Sequence, residues 1–260
     1  MGGARFFKTA LLCVATTVSL IAAGDLTITF KTENKNPMST SKSTEVQYYS
    51  NQYHRTNNDQ EKNDTLMDYK KSAMFIIDHK KKTISKLTLD DAVKMTEATA
   101  SMYDAETREM MKKMLGAGSN DKVAVKKVGK EVILGRNCDK WEISLGKMIL
   151  KVSADPNLAY PASQEALKIA DKMKESVAGG AMPGMDMTKL YEEAAKIKGV
   201  HLKSEMQMSV TGMTMRIFSE ATKIEQGAIP ASRFELPLGY KEEDMGKKML
   251  EEINKSRKKK

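Results

Sequence analysis

Cysteine is almost missing from this chain: of 260 residues only Cys13 and Cys138 carry a thiol. Cys13 lies inside an N-terminal apolar run that reads as a removable leader, so the processed chain keeps one thiol and an intramolecular disulfide is excluded. The fold must be held by its core. Histidine is also scarce, with His54, His79 and His201 the only three, and there is one tryptophan, Trp141. Aromatics interleaved with a basic stripe, the usual basis for binding single-stranded nucleic acid, are therefore absent, and no nucleic-acid partner is expected. Nucleophile elbow, zinc-protease helix, phosphate loop, dinucleotide fingerprint and paired-cysteine metal motif are all missing. No catalytic residue, metal ligand or cofactor is assigned, and the chain reads as a non-enzyme. Cys138 has no nearby base and is expected to be a buried, idle thiol. Asp78 beside His79, in a turn full of lysines, reads as solvated surface.

What is present begins with the leader. Arg5 and Lys8 precede an apolar run from Thr9 to Ile21, followed by Ala22, Ala23 and Gly24 directly before Asp25. A positive region, a short apolar core and small residues make a secretory signal over residues 1–24, cleaved near Gly24. The apolar core falls short of the roughly 20 residues a membrane-spanning helix needs. An exported protein, periplasmic or extracellular, with no transmembrane segment after processing is expected. Loss of Arg5 and Lys8 lowers the net charge from +9 by two, to +7. Much of the excess is dispersed, with one dense cluster at Lys255 and Arg257 to Lys260, read as a solvated terminus.

Period-two alternation in Leu26, Ile28 and Phe30 against Thr27, Thr29 and Lys31 marks a half-buried strand. NKNPMSTSK reads as a loop by composition. Strands are expected at Glu45–Ser50, Gln52–Thr56 and Thr65–Tyr69, then as a hairpin, Ala73–Asp78 with Thr83–Leu87. At Thr88 the period changes. Thr88 and Asp91 form a capping-box-like start, and Val93, Thr96, Ala100, Tyr103, Thr107, Met110 and Met114 recur every three or four residues, predicting an amphipathic helix to Leu115. Strands resume at Val123–Val128, then, after a turn at Gly129 and Lys130, at Glu131–Leu134, Asp139–Ser144 and Met148–Val152. Helices are predicted from about Ser163 to Val177 and Asp186 to Lys198. A hairpin of Leu202–Val210 and Met213–Ile224 turns at Thr211 and Gly212. A charged helix from about Glu242 to Asn254 ends the chain.

This pattern predicts one α+β domain over residues 25–240, an open curved antiparallel sheet (a half-barrel) with helices on its concave face, followed by a charged helix and basic tail at 241–260. A groove between sheet and helices would be the place for a ligand. Methionine is the compositional excess, with 20 in the chain. Met206, Met208 and Val210 share one strand parity, as do Met213, Met215 and Ile217 on the next strand. With Val93, Ala100, Tyr103, Met110 and Met114 of the helix they are the candidate lining of an apolar groove. Thioether clusters also bind Cu(I) outside the cytoplasm, so a copper carrier is an alternative, as is a structural or envelope-stress protein with a filled core.

Three segments carry a family resemblance: DLTITFKT at Asp25–Thr32, ILGRNCDKWEI at Ile133–Ile143, and the ending SEATKIEQGAIPASRFELPLGYKE. Together they resemble the exported bacterial family called domain of unknown function 4412, which is similar in fold to the periplasmic lipoprotein carriers of the LolA and LolB kind. The resemblance implies a shape, the curved antiparallel half-barrel that in those carriers cradles acyl chains under a helical lid; the methionine and aliphatic lining makes a lipid or lipoprotein the expected partner, and a monomer is expected. The resemblance assigns no catalytic or binding residue, and function by shared shape is an analogy.

Overall fold

The computed structural model describes residues 24–100, 106–107, 110, 124–145, 147–178, 192–194, 196–210 and 213–257. In chain order the strands are β1 (Leu26–Asn36), β2 (Ser39–Tyr49), β3 (Tyr53–Asn58), β4 (Asn63–Asp68), β5 (Ala73–Asp78) and β6 (Thr83–Thr88), followed by helix α1 (Leu89–Ala100). Next come β7 (Ala124–Ile133), β8 (Arg136–Leu145), β9 (Met148–Asp155) and helix α2 (Gln164–Ala178). The last elements are β10 (Val200–Val210), β11 (Met213–Gln226), a 3-10 turn (Ala231–Phe234), β12 (Lys241–Asp244) and helix α3 (Met245–Arg257). The strands form one sheet ordered β12-β6-β5-β4-β3-β2-β1-β11-β10-β9-β8-β7, whose two edges do not meet. All neighbours are antiparallel except β12, which runs parallel to β6.

Strand β1 sits at the seam. It pairs with β2 on one side and, across nearly the whole sequence, with β11 on the other, with one bulge after Thr29. Left of the seam, β3 to β6 form a meander with a ten-residue period. Asn58, Asp68 and Asp78 end successive strands, and each accepts backbone N–H groups of the following turn: Gln60 and Glu61 at 3.1 and 3.0 Å, Lys71 at 3.1 Å, Lys81 at 2.8 Å. These Asx turns suit short polar side chains. Each turn closes on a left-handed residue, Lys62, Ser72 or Lys82.

Residues directly opposite in an antiparallel pair project to the same face, so the register assigns two faces. The inner face carries Leu26, Ile28 and Phe30 of β1, Tyr49 opposite Leu26, and Ile224 and Ala221 of β11. With Leu202, Val200, Leu158, Ile133 and Cys138 they form one core. In the meander the other face is buried, where Leu66, Ala73, Phe75, Ile77 and Ile84 pack with Phe234 and, around them, Ile229, Leu236 and Tyr240. The sheet thus buries opposite faces in its two halves, and the change falls at β2, where Tyr48 joins the second core and Tyr49 the first.

Helix α1 starts at the expected box: Asp91 N–H donates to Thr88 Oγ1 at 3.1 Å and Thr88 N–H to Asp91 Oδ2 at 3.3 Å. It packs against α2 and α3, and α1 and α3 both touch β6. Of the helix expected to reach Leu115, Leu89–Ala100, Glu106, Thr107 and Met110 are helical; the other positions beyond Ala100 lie outside the described residues. Likewise only Glu192–Ala194 of the helix expected at 186–198 is helical among the described residues.

Three expectations fail. NKNPMSTSK is a hairpin tip and not a loop, because Asn36 Oδ1 accepts from both Met38 and Ser39 N–H at 2.9 Å, so the chain reverses at Pro37 and Met38 and polar strands continue on both sides. Gly129 and Lys130 do not turn the chain: β7 passes through them with a bulge, and the reversal comes at Leu134 and Gly135, both left-handed. Such a pair is what a tight two-residue hairpin requires. Lys241–Asp244 is a strand where a helix was expected from Glu242, because parallel pairing to β6 captures a segment with no apolar alternation of its own.

Gly199, at φ +93°, leads into β10. A Cβ there would lie 1.9 Å from the Asp155 carbonyl oxygen and 2.7 Å from Pro156 Cα, both unyielding backbone. At Gly239, φ +75°, nothing lies within 4 Å. Gly199→Ala should therefore cost about 2–4 kcal/mol, from strain plus clash, and Gly239→Ala only the left-handed penalty of about 1 kcal/mol. Urea unfolding of the two variants measures the difference; equal losses would contradict the close approach.

Candidate functional site: the inner face and the C-terminal clamp

The register sets Met206 opposite Ile217, Met208 opposite Met215 and Val210 opposite Met213, so these six candidates occupy the inner face of one hairpin. Beyond β10, Met206 faces Leu150 and Met208 faces Met148, and Leu150 and Met148 face Ile143 and Leu145 of β8. An apolar surface four strands wide results. Its burial falls along β10 and β11, while Met148 of β9 and Ile143 of β8 stay buried. Leu202 is fully enclosed and Ala221 is 4% exposed, Met206, Met208 and Ile217 are half-buried, and Met215 near the hairpin tip is 39% exposed. The side chains of Val210 and Met213 lie outside the described residues. On the helical side Val93 is half-buried in α1, Ala100 is its last residue, and Met110 is 59% exposed. Tyr103 and Met114 lie outside the described residues.

A second constellation was not anticipated from the sequence. Arg55, from β3, is buried among apolar neighbours and donates from Nη1 to the carbonyls of Arg233 and Glu235 at 2.9 and 3.0 Å. Its Nη2 pairs with Asp64 Oδ2 at 2.5 Å. The same oxygen accepts from Asn57 Nδ2 at 3.0 Å and meets His79 Nε2 at 3.0 Å. His79 Nδ1 lies 3.0 Å from the Tyr240 hydroxyl. With Nε2–H donating to Asp64, Nδ1 is free to accept the tyrosine O–H. Arg55 and His79, both held by Asp64, reach across to residues 233–240 and tie them to the meander. The arrangement is a clamp, and His79, expected to be solvated, is its hinge pin. The segment is tied at its start as well, by Gly227 and Ile229 N–H to the Asp25 carbonyl and carboxylate at 3.1 and 3.0 Å.

Cys138 is 1% exposed, and burial pushes its thiol up to about 11, which removes the thiolate needed for nucleophilic work at neutral pH. Among the described residues no group of three or more His, Cys, Asp or Glu is placed to hold a metal, and no helix is long and apolar enough to cross a membrane.

The chain belongs to the family described as domain of unknown function DUF4412, whose model matches residues 38–240. Among curated proteins none matches it. Similar solved structures include an uncharacterized conserved protein from Thermus thermophilus, at 6% identity and TM-score 0.44 over 85% of this chain and 91% of that one. The MucA/MucB complex of Pseudomonas aeruginosa matches at 12% and 0.37 over 83% of this chain and 56% of that one. LolA superfamily protein NE2245 from Nitrosomonas europaea matches at 6% and 0.30 over 87% and 96%. The fold therefore rests on the strand register itself, an open, unclosed and almost wholly antiparallel sheet with a few helices, of α+β class.

Two histidines line the first core. His54 stacks on Tyr49 with ring centroids 4.3 Å apart, and His201 Nε2 is buried without a partner among the described residues. By surface area each residue is half-buried, yet the rings sit deep enough that burial lowers both to about 4 from 6.5. Below pH 6.5 the unfolded chain takes up protons that the folded chain refuses, so stability falls with pH through the window from 6.5 to 4. Between pH 7.5 and 5 the loss should be on the order of 1–2 kcal/mol per histidine. Urea unfolding at those pH values measures it, and His54→Phe, which keeps the stack, should flatten the slope. A stability unchanged down to pH 5 would contradict the depressed values.

Proposed function

We propose that the protein is a non-enzymatic, exported binding protein that accepts the hydrocarbon part of a ligand, such as a lipid acyl chain, on the inner face of its sheet. One observation carries this reading: along β10 and β11 the apolar inner face is tightly filled at Leu202 and Ala221 and opens toward the hairpin tip at Met208 and Met215, beside Met148 of β9, which stays buried. A core that served stability alone would gain by closing, since half-exposed Met208 and Met215 forgo burial worth about 25 cal/mol per Å². Methionine suits the task, because its unbranched, polarizable chain adapts to occupants of different shape. The leader-like N-terminal pattern supports export, and lipid or lipoprotein as partner is the chemistry that fits the surface.

Titration with an environment-sensitive apolar dye tests the proposal. Uptake by the wild type is expected, with at least tenfold weaker uptake by Met208→Glu and a stability loss for Met208→Ala below the roughly 2–5 kcal/mol of a filled-core cavity. Absence of dye uptake together with a full cavity penalty would favour a structural protein with a filled interior. Stepwise loss of Cu(I) affinity on Met→Leu replacement would favour copper.

A further inference from the structure

A polar band crosses the inner face of β2, β1, β11 and β10, next to the inward Gln47 and Glu45 of β2. Ser43, Thr32, Ser219 and Ser204 stand directly opposite one another on β2, β1, β11 and β10, and Asn34, two residues further along β1, faces Ile217 on the same side. The band is bounded by Phe30 and Ala221 on one flank and by Ile217 and Met206 on the other. Thr32 Oγ1, Asn34 Oδ1 and Ser219 Oγ are shut off from solvent and have no hydrogen-bond partner among the described residues; Ser219 as a whole is 2% exposed. Ladder pairing on both sides of β1 and β11 already engages the local backbone, so those groups offer no alternative partner. Buried polar atoms left unpaired in this way are costly and need a reason.

The band carries no charge. Lys31, Glu33 and Lys35 alternate to the opposite face of β1, and Lys203, Glu205 and Glu220 face away in the same manner. The nearest inward carboxylate, Glu45 opposite Phe30, accepts from Asn58 Nδ2 at 3.1 Å. We propose that Thr32, Asn34 and Ser219 form the hydrogen-bonding anchor for an uncharged polar group, a hydroxyl or amide, of an amphiphile whose hydrocarbon lies along Leu150, Met206 and Met208. Two hydroxyls that donate or accept and a carboxamide oxygen that accepts suit a neutral group bearing both a donor and an acceptor. A fatty-acid carboxylate would instead be desolvated there with no cation of β1, β2, β10 or β11 on that face to meet it. The ligand class is thus a neutral acyl lipid such as a monoacylglycerol or a fatty amide, an assignment that rests on the groove proposed above.

The experiment compares displacement of a groove-bound apolar dye by 1-monooleoylglycerol and by methyl oleate, which share a chain but differ in hydrogen-bond donors. Wild-type protein should prefer the monoglyceride by about tenfold or more, the worth of one or two hydrogen bonds. Thr32→Val with Ser219→Ala should abolish that preference, weaken methyl oleate far less than the monoglyceride, and leave the unliganded melting temperature equal or higher, because unpaired polar atoms are removed. Equal wild-type affinity for the two lipids, or a preference that survives the double substitution, would overturn the anchor while leaving the groove intact. A lowered melting temperature with the preference retained would assign the band to a structural water instead. Failure of either lipid to displace the dye would overturn anchor and groove together.

Discussion

The pairing of β1 with β11 is the constraint on which the rest depends. It joins the first strand of the domain to the last long one and sets the meander of β2 to β6 beside the right half, β7 to β10. Beside that seam, the described residues link the halves through α1 and its neighbours and through the segment 229–240 that follows β11. The first core is assembled across it, since Leu26, Ile28 and Phe30 meet Ile224, Ala221 and Leu202 there. Contacts between residues so far apart in sequence form late and carry a large chain-closure cost, so the seam must be long and dry to hold. It is both: β1 is paired on two sides along most of its length, and its three apolar residues are nearly inaccessible.

Burying opposite faces in the two halves follows from the same topology. A sheet that stays open leaves each face to find its own cover. In the meander the cover is residues 229–240, a segment with few hydrogen bonds of its own, and Arg55, Asp64 and His79 supply the polar tethers that the segment lacks. Arg55 and Asp64 are buried charges, but they are paired and hydrogen-bonded, the condition under which such a pair is tolerated in an interior. In the right half the inner face grades from closed to open along β10 and β11 among the described residues. In the proposed function, that division of labour fixes one half firmly and leaves the other to receive a guest. The neutral polar band lies at the boundary between closed and open regions, where a headgroup would be held while its chain extends toward the hairpin tip.

Much of this was legible in the sequence, and the parts that were not share a cause. Local periodicity revealed β1, the β5–β6 hairpin, the Thr88–Asp91 cap and the β10–β11 register, because each is encoded by residues within a few positions of one another. Thr32 and Asn34 continue the parity of Leu26, Ile28 and Phe30, so their inward position was readable too, had polar residues been followed along the strand as closely as apolar ones. The ten-residue recurrence of Asn58, Asp68 and Asp78 was likewise available. By contrast, β12 exists only because β6 offers an edge, and Gly129 bulges where a free chain would turn. The tie between His79 and Tyr240 spans most of the domain, and no local pattern announces it. The burial of Met206 and Met208 depends on what faces them, which parity alone does not supply.

Native-state hydrogen exchange along β1 and β11 tests the dependence on the seam most directly. If the seam holds the two halves together, the ladder amides from Thr27 to Thr32 and their partners from Ser219 to Ile224 will exchange only through global unfolding, more slowly than any amide of β3 to β6, with a single shared denaturant dependence. Exchange of β1 at a free energy below that of the meander, with the meander still protected, would show that the halves stand independently and would contradict the account.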